Sequence, residues 1–197
     1  KNCAQPFHIF EEDQKYYDKI AVPLPKFCPS CRSQRRLSHV NPIHLFQRTC
    51  SETKKLIISN YPPDSPMPVF DQAYWYSDAF DGEKYGRDFD FSRPFFEQFK
   101  ELSAVVPRPA LFTDFLRDEN STYTNYAGKN KNCYLIFDSD ENWDCSYSYG
   151  TNGSRSSLDT YRVQNLELCY EVVDSKDCFN SAYIYNSQNC SDSWFLN

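Results

Sequence analysis

The C-terminal part of the chain, from Asn120 onward, carries a polar-then-small pair that returns at a fixed interval. The small residue of each pair follows the previous one after twelve residues, with a single step of nine between Cys169 and Cys178. The pairs are Asn120-Ser121, Asn132-Cys133, Asp144-Cys145, Ser156-Ser157, Leu168-Cys169, Asp177-Cys178 and Asn189-Cys190. Strand-prone residues follow the small residue, and turn formers separate the runs. A unit this short cannot bury a core alone, so the period predicts a β-solenoid of stacked repeats.

In such a stack, we expect the small Ser and Cys residues to form an inward column and the Asn and Asp residues to form corners. Free cysteine is among the most buried residue types, so packing is the favoured role for these cysteines. Metal binding and disulfide formation remain the alternatives. The sequence leaves open whether twelve residues make one flat coil or half of a larger one.

A helical apolar stripe lies ahead of the repeats. Phe95, Phe96, Phe99 and Leu102 recur at three- and four-residue steps, which predicts an amphipathic helix from Arg93 to Val105. Ser92 is the expected N-cap, and prolines 107 and 109 end the helix. Since an open solenoid end must be covered, we expect this helix to cap it.

The N-terminal region has few apolar residues and three cysteines with metal-knuckle spacing. Cys3 precedes the pair Cys28-Pro-Ser-Cys31, and tetrahedral zinc commonly takes two such pairs. We therefore predict zinc as the cofactor, bound by Cys3, Cys28 and Cys31 in a zinc-ribbon or treble-clef-like module. A cysteine preceding Lys1 is the simplest fourth ligand, and the alternatives are histidines 8, 39 and 44. A redox-active Cys-x2-Cys is the other interpretation, but it lacks the surrounding βαβ pattern.

Composition adds a charge asymmetry. The chain has a formal net charge of −6, yet residues 26–55 hold seven Lys and Arg against one Glu. Six of these cations are the predicted nucleic-acid contacts: Arg32, Arg35, Arg36, Arg48, Lys54 and Lys55. A solvated face, or pairing with the acidic repeats, is the alternative.

Several segments resemble one known family. They are Cys3-Ala-Gln-Pro-Phe, Val22-Pro-Leu-Pro, Cys28-Pro-Ser-Cys31 with the residues to Leu37, residues 85–99, and Asn132-Cys133-Tyr-Leu-Ile-Phe137. Nearly the whole chain resembles a zinc-ribbon family with cysteine-bearing C-terminal repeats, common in reduced-genome candidate-phylum bacteria. The resemblance implies a four-cysteine site that includes Cys3, Cys28 and Cys31, then a second ribbon, then repeats, and it brings no established activity.

The second ribbon departs from the family pattern. Cys50 is present, but Thr53, Asp71 and Tyr74 stand where the resemblance implies cysteines. One thiolate beside one carboxylate is a poor soft-metal site, so we expect a metal-free hairpin here. Its predicted strands are Leu56-Ile57-Ile58 and a returning Val69-Phe70.

These patterns predict a mainly β protein in four parts. They are a zinc module (1–49), a metal-free ribbon hairpin (50–76), a linker with the cap helix (77–119) and a parallel β-solenoid (120–197). The chain begins without Met and stops within a repeat, so we expect a piece of a longer protein. With no long apolar run, we expect no membrane partner, and the metal-type cysteine spacing favours the cytoplasm.

The sequence narrows the function without fixing it. It shows no Ser/His/Asp set, phosphate loop or helical His-Glu pair, and no small-molecule substrate is identified. A non-enzymatic adaptor contacting RNA, DNA or a ribosome through the basic segment, with the solenoid as a rigid platform, is the first expectation. A protein–protein scaffold ranks closely behind it. An enzyme with carboxylates on the solenoid ranks last.

Overall fold

The computed structural model describes residues 3–38 and 40–197. It divides into two compact units, an N-terminal module (residues 1–41) and a C-terminal body (residues 42–197). The four predicted parts, with boundaries at residues 49, 76 and 119, divide the chain more finely than these two units.

Two short helices form the N-terminal module. α1 spans Glu11–Lys19, with three acidic residues in its first turn and Lys19 in its last, an order that complements the helix dipole. α2 spans Pro29–Leu37, with proline at its first position, where the missing N–H costs nothing. Neither helix buries an apolar surface, since α1 has no buried residue and α2 buries only Cys31. This module therefore needs a stabilising element other than a hydrophobic core.

The C-terminal body begins with an antiparallel hairpin of β1 (Phe46–Thr49) and β2 (Leu56–Ser59). The predicted partner of β2 was wrong. Val69–Phe70 is instead a short strand, β3, that pairs in parallel with β4 (Arg108–Pro109). Buried Val69, Ala110 and Leu111 form the local core. Residues far apart in sequence thus decide this pairing.

Three helical segments follow: α3 (Gln72–Trp75), a 3₁₀ helix (Gly82–Tyr85) and α4 (Phe95–Val105). The amphipathic helix is confirmed, but it begins later than predicted, and Pro94 is its N-cap. Ser92 instead donates its hydroxyl to the Asp90 carboxylate, 2.6 Å away. No residue of α4 is buried, and Phe96 is 79% exposed. The apolar stripe expected to cover the solenoid end is therefore largely solvent-exposed.

The predicted parallel β-solenoid is confirmed. Its strands are β5 (Asn125–Gly128), β6 (Tyr134–Asp140), β7 (Ser146–Asn152), β8 (Leu158–Glu167), β9 (Tyr170–Val173), β10 (Lys176–Phe179), β11 (Ala182–Tyr185) and β12 (Trp194–Leu196). In every parallel pair of this sheet, a residue faces the one twelve positions on, as Tyr134 faces Ser146. Twelve residues therefore make one complete coil.

Within a coil the backbone repeats every three residues. A positive φ occurs at every third position from Asn120 to Phe195, and the residue after it faces the interior. Each coil thus has four short sides and four inward columns. Two columns matter below: the cysteine column (residues 121, 133, 145, 157, 169, 181 and 193) and the amide column (residues 130, 142, 154, 166, 178 and 190).

The step of nine between Cys169 and Cys178 is not an interruption of the repeat. Cys178 and Cys190 belong to the amide column, three sides further round the coil than Cys169. All five solenoid cysteines are buried, and all are free thiols. Their predicted packing role is confirmed, but they occupy two columns, not one.

Positive φ explains the Asn and Asp residues at the corners, since these residues and Gly tolerate the left-handed region best. Leu168 is an exception, with φ of 56° and a side chain that is 52% exposed. We predict that Leu168→Asn raises the stability of the protein by about 1 kcal/mol, because leucine is strained there. Urea unfolding followed by circular dichroism measures this.

The control is Leu158→Asn, at an exposed position without positive φ. An equal gain in both variants would contradict the strain argument.

No helix in the described ranges is long and apolar enough to cross a membrane.

Candidate metal centre

The three N-terminal cysteines meet at the start of α2. Cys28 is the N-cap of that helix, and its Sγ accepts the backbone N–H of Cys31 at 3.4 Å. The Sγ of Cys3 lies 3.7 Å from that of Cys28 and 3.4 Å from that of Cys31. Cys31 is buried, Cys28 half-buried and Cys3 exposed. The predicted ligands thus converge on one point.

Their spacing fits a shared metal ion. Zinc–sulfur bonds of about 2.3 Å in a tetrahedron place sulfur atoms roughly 3.8 Å apart. The observed separations are close to that value and far from a disulfide bond of about 2.05 Å. All three sulfurs lie within 4.8 Å of one another. This group can therefore hold a metal ion.

The thiols have divergent acidities. The backbone N–H of Cys31 lowers the pKa of Cys28, with its thiol partners adding to the effect. A backbone hydrogen bond at Cys3 acts to lower the pKa of Cys31, but thiol contacts with Cys3 and Cys28 outweigh it and raise that pKa. Cys28 is thus more acidic than Cys31, and the thiolate is the form of cysteine that binds a metal.

The fourth ligand is open. Among the described residues, the cluster contains only the three cysteines, so His8 is not part of it. His39 lies outside the described residues, and His44 belongs to the C-terminal body.

Cys50 lies in a turn whose backbone hydrogen bonds resemble those of a metal knuckle. Its buried Sγ accepts the backbone N–H of Thr53 at 3.3 Å and of Asp71 at 3.2 Å, the same type of bond that Cys28 accepts. Burial acts to raise the pKa of Cys50, but the polar groups of Thr53 and Asp71 around its sulfur outweigh burial and lower that pKa. The Asp71 carboxylate instead accepts the N–H of Ala73 and caps α3. The Cys50 sulfur is thus an acceptor of backbone hydrogen bonds.

We predict that the triple change Thr53→Cys, Asp71→Cys and Tyr74→Cys raises the metal content by about one ion per chain, since it completes a four-thiolate site. Elemental analysis of the purified protein measures this. The matched control adds only Thr53→Cys, which leaves two ligands. A triple variant that folds and gains no metal would refute the lost-site interpretation.

The predicted basic contacts in the N-terminal module have different surroundings. Arg32 donates to the Tyr17 hydroxyl at 2.7 Å, and the Arg35 guanidinium lies over the Phe27 ring, 5.0 Å from its centre. Arg36 is exposed. Arg35 and Arg36 are therefore the two arginines of this helix open to an anionic partner.

The other three predicted contacts lie in the C-terminal body. Arg48 is buried, 9% exposed, and donates to the Pro62 carbonyl at 3.0 Å, so it is a structural residue and not a surface contact. Lys54 donates to the Ser51 carbonyl, and Lys55 is exposed. The six cations are thus divided between two units.

The structure also shows a surface that the site predictions omitted. One side of the solenoid carries an aromatic strip: Tyr123, Tyr134, Tyr147, Leu158, Tyr170, Tyr183 and Phe195. Neighbouring rings touch at centroid distances of 5.5 Å (Tyr123–Tyr134), 5.7 Å (Tyr134–Tyr147), 5.6 Å (Tyr170–Tyr183) and 4.8 Å (Tyr183–Phe195). The signal in the sequence was an aromatic residue one or two places after most members of the cysteine column.

Comparison with family models, curated proteins and solved structures finds no match. The resemblance to a zinc-ribbon family therefore stays a prediction from the motifs.

Proposed function

We propose that this protein is a non-enzymatic interaction protein in which zinc stabilises the N-terminal module and the solenoid is a rigid binding platform. The aromatic strip is the observation that carries the proposal. It favours the scaffold alternative over the nucleic-acid adaptor that the sequence ranked first.

The strip has the properties of a protein-binding surface. Six of its seven residues are exposed, and tyrosine is enriched where proteins meet. Contiguous exposed apolar surface on a folded protein commonly marks an interaction site. The next side adds a second row, including the stacked rings of Tyr149 and Tyr161, 5.6 Å apart. By contrast, the side beginning at residues 128 and 129 carries Lys, Asp, Glu, Asn, Gln and Gly.

The solenoid also supplies rigidity. Each coil hydrogen-bonds to the next along its strands and through inward side chains, such as the Asn130–Asn142 contact at 3.1 Å. Side chains on its surface are therefore held in fixed rows, which lowers the entropy lost on binding.

Zinc is the metal that best fits the N-terminal cluster. Three sulfur ligands near tetrahedral spacing suit zinc or an iron–sulfur cluster, and harder cations prefer oxygen. A module without an apolar core gains its folding energy from such an ion. When bound, the metal supplies cross-linking, while Cys28 and Cys31 anchor α2 to the segment around Cys3.

Nucleic-acid binding is a second candidate because Arg35 and Arg36 are exposed on α2. Such contacts would be made to phosphates, with little sequence preference. The burial of Arg48 weakens this candidate by removing one of the predicted contacts.

Site-specific photo-crosslinking in cells that produce the protein tests the proposal. A photoreactive phenylalanine replaces Tyr134 on the aromatic strip in one variant and Phe179 in another. Phe179 occupies the same place in its three-residue step, on a different side of the solenoid, with similar exposure of 45% against 39%. We expect defined protein adducts from position 134 and few from position 179.

Equal adducts at both positions, or none at position 134, would refute the platform. Nucleic-acid adducts from a third variant, with the photoreactive group at Arg36, would favour the second candidate.

A further inference from the structure

The aromatic strip and the row beside it are acidic as well as aromatic. Asp159 and Glu171 lie on the strip, and Asp138 lies on the adjacent side. The one cation at the outward positions of these two sides is Arg162, whose Nε is 3.3 Å from a carboxylate oxygen of Asp174. Among the described residues, no lysine or arginine lies within salt-bridge distance of Asp138, Asp159 or Glu171. This surface therefore carries uncompensated negative charge between its rings.

The carboxylates lie beside the rings, since Glu171 directly follows Tyr170 and Asp138 directly follows the strand partner of Tyr149. Desolvation raises the pKa of Tyr170, and the neighbouring Glu171, Tyr183 and Asp159 raise it further. Desolvation likewise raises the pKa of Tyr149, with Asp138 the next cause. Ring and carboxylate thus form combined sites along the two sides.

We propose that the aromatic strip binds an arginine-rich segment of a partner protein. The proposal rests on the platform function proposed above and names the chemistry of its partner. Arginine satisfies both features of this surface, because its planar guanidinium stacks on aromatic faces and donates a bidentate pair of hydrogen bonds to carboxylates. Lysine offers a point charge without the planar face, and nucleic acid is repelled by the carboxylates.

The protein itself uses the same chemistry. The Arg155 guanidinium lies over the Trp143 ring, 4.8 Å from its centre, between two adjacent coils of the solenoid. This contact shows that an arginine fits against an aromatic residue of the neighbouring coil at the solenoid spacing. The aromatic strip repeats such rings over most coils, and no arginine in the described part of the chain is placed over them.

The test measures binding of a fluorescent oligo-arginine peptide, an oligo-lysine peptide of equal length and an oligouridine RNA to the intact, zinc-loaded protein. Fluorescence anisotropy gives each affinity at low and near-physiological ionic strength. We expect oligo-arginine to bind about fivefold more tightly than oligo-lysine, and the preference to persist when salt weakens both.

Matched variants assign the binding to the strip. Tyr134→Ser with Tyr170→Ser should remove the preference for arginine, whereas Phe179→Ser should keep it. Asp159→Asn with Glu171→Gln should weaken both peptides, whereas Glu167→Gln, on another side, should not. The substituted rings are at least 39% exposed and lie at positions without positive φ, so these variants should fold, which circular dichroism checks.

Three outcomes would overturn the inference: equal affinity for the two peptides, no effect of the strip variants, or tighter binding of oligouridine than of oligo-arginine. If the peptide results fail while photo-crosslinks still map to position 134, only the partner chemistry is wrong. If the crosslinks are also absent, the platform function fails with it.

Discussion

Removing the metal should unfold the N-terminal module and leave the solenoid folded. Structural zinc in small domains contributes apparent binding energies of about 10–16 kcal/mol, and this module has no apolar core to replace it. We expect about one zinc per chain from the four-ligand geometry of such sites. After treatment with a chelator, amide hydrogen exchange should become fast in α1 and α2 and stay slow in β6 to β9.

The corresponding variant is Cys31→Ser, which removes the buried thiol of the cluster. It should lose most of the bound zinc. Its control is Cys169→Ser, because the cysteine column already holds serine at positions 157 and 181. A Cys31→Ser protein that keeps its zinc, or a metal-free protein with slow exchange in α2, would contradict the metal centre.

Asn142→Leu should destabilise the solenoid by about 2–4 kcal/mol, although the amide column already accepts a leucine at position 166. Asn142 is fully buried. Its Nδ2 donates to the Thr151 carbonyl at 2.7 Å and to Asn130 Oδ1 at 3.1 Å, and its Oδ1 accepts the backbone N–H of Ser154 at 3.0 Å. Leucine is larger than asparagine and has no polar atom, so it leaves the Thr151 carbonyl and the Ser154 N–H without these partners.

Each orphaned group costs roughly 1–3 kcal/mol, and the apolar surface gained offsets part of the total. Urea unfolding, monitored by far-ultraviolet circular dichroism, gives the change in the free energy of unfolding. The control is Leu166→Met, a volume-conserving change in the same column that should cost less than about 1.5 kcal/mol. A loss in Asn142→Leu no larger than in the control would show that the buried amides contribute no specific stability.

The solenoid could be predicted from the sequence because its register is local. Each residue pairs with the one twelve places on, so a small side chain such as Cys133 recurs where the interior demands it. The cysteine group that can hold a metal ion was predictable for the same reason, since Cys28 and Cys31 lie on one turn of helix at a fixed spacing. Both signals are periodic or short-range.

Other features depend on contacts that leave no local pattern. The pairing of Val69–Phe70 with Arg108–Pro109 joins segments separated by three helical segments, and neither strand is longer than two residues. The exposure of α4 could not be predicted either. An apolar stripe shows which face of a helix is hydrophobic, but it does not show whether another element covers that face. The charge of Arg48 led us to predict a position on the surface, but its long side chain reaches the Pro62 carbonyl in the interior.

The three-residue backbone step has a consequence for how the solenoid can change length over generations. A deletion or duplication of one whole coil, such as residues 145–156, returns every later residue to its own side and column. A change of three residues keeps the inward pattern but rotates all later rows by one side, which would interrupt the aromatic strip by moving its later tyrosines onto a neighbouring side. Gene variants that gain or lose complete coils should therefore be tolerated, and they would lengthen or shorten the strip without altering its chemistry.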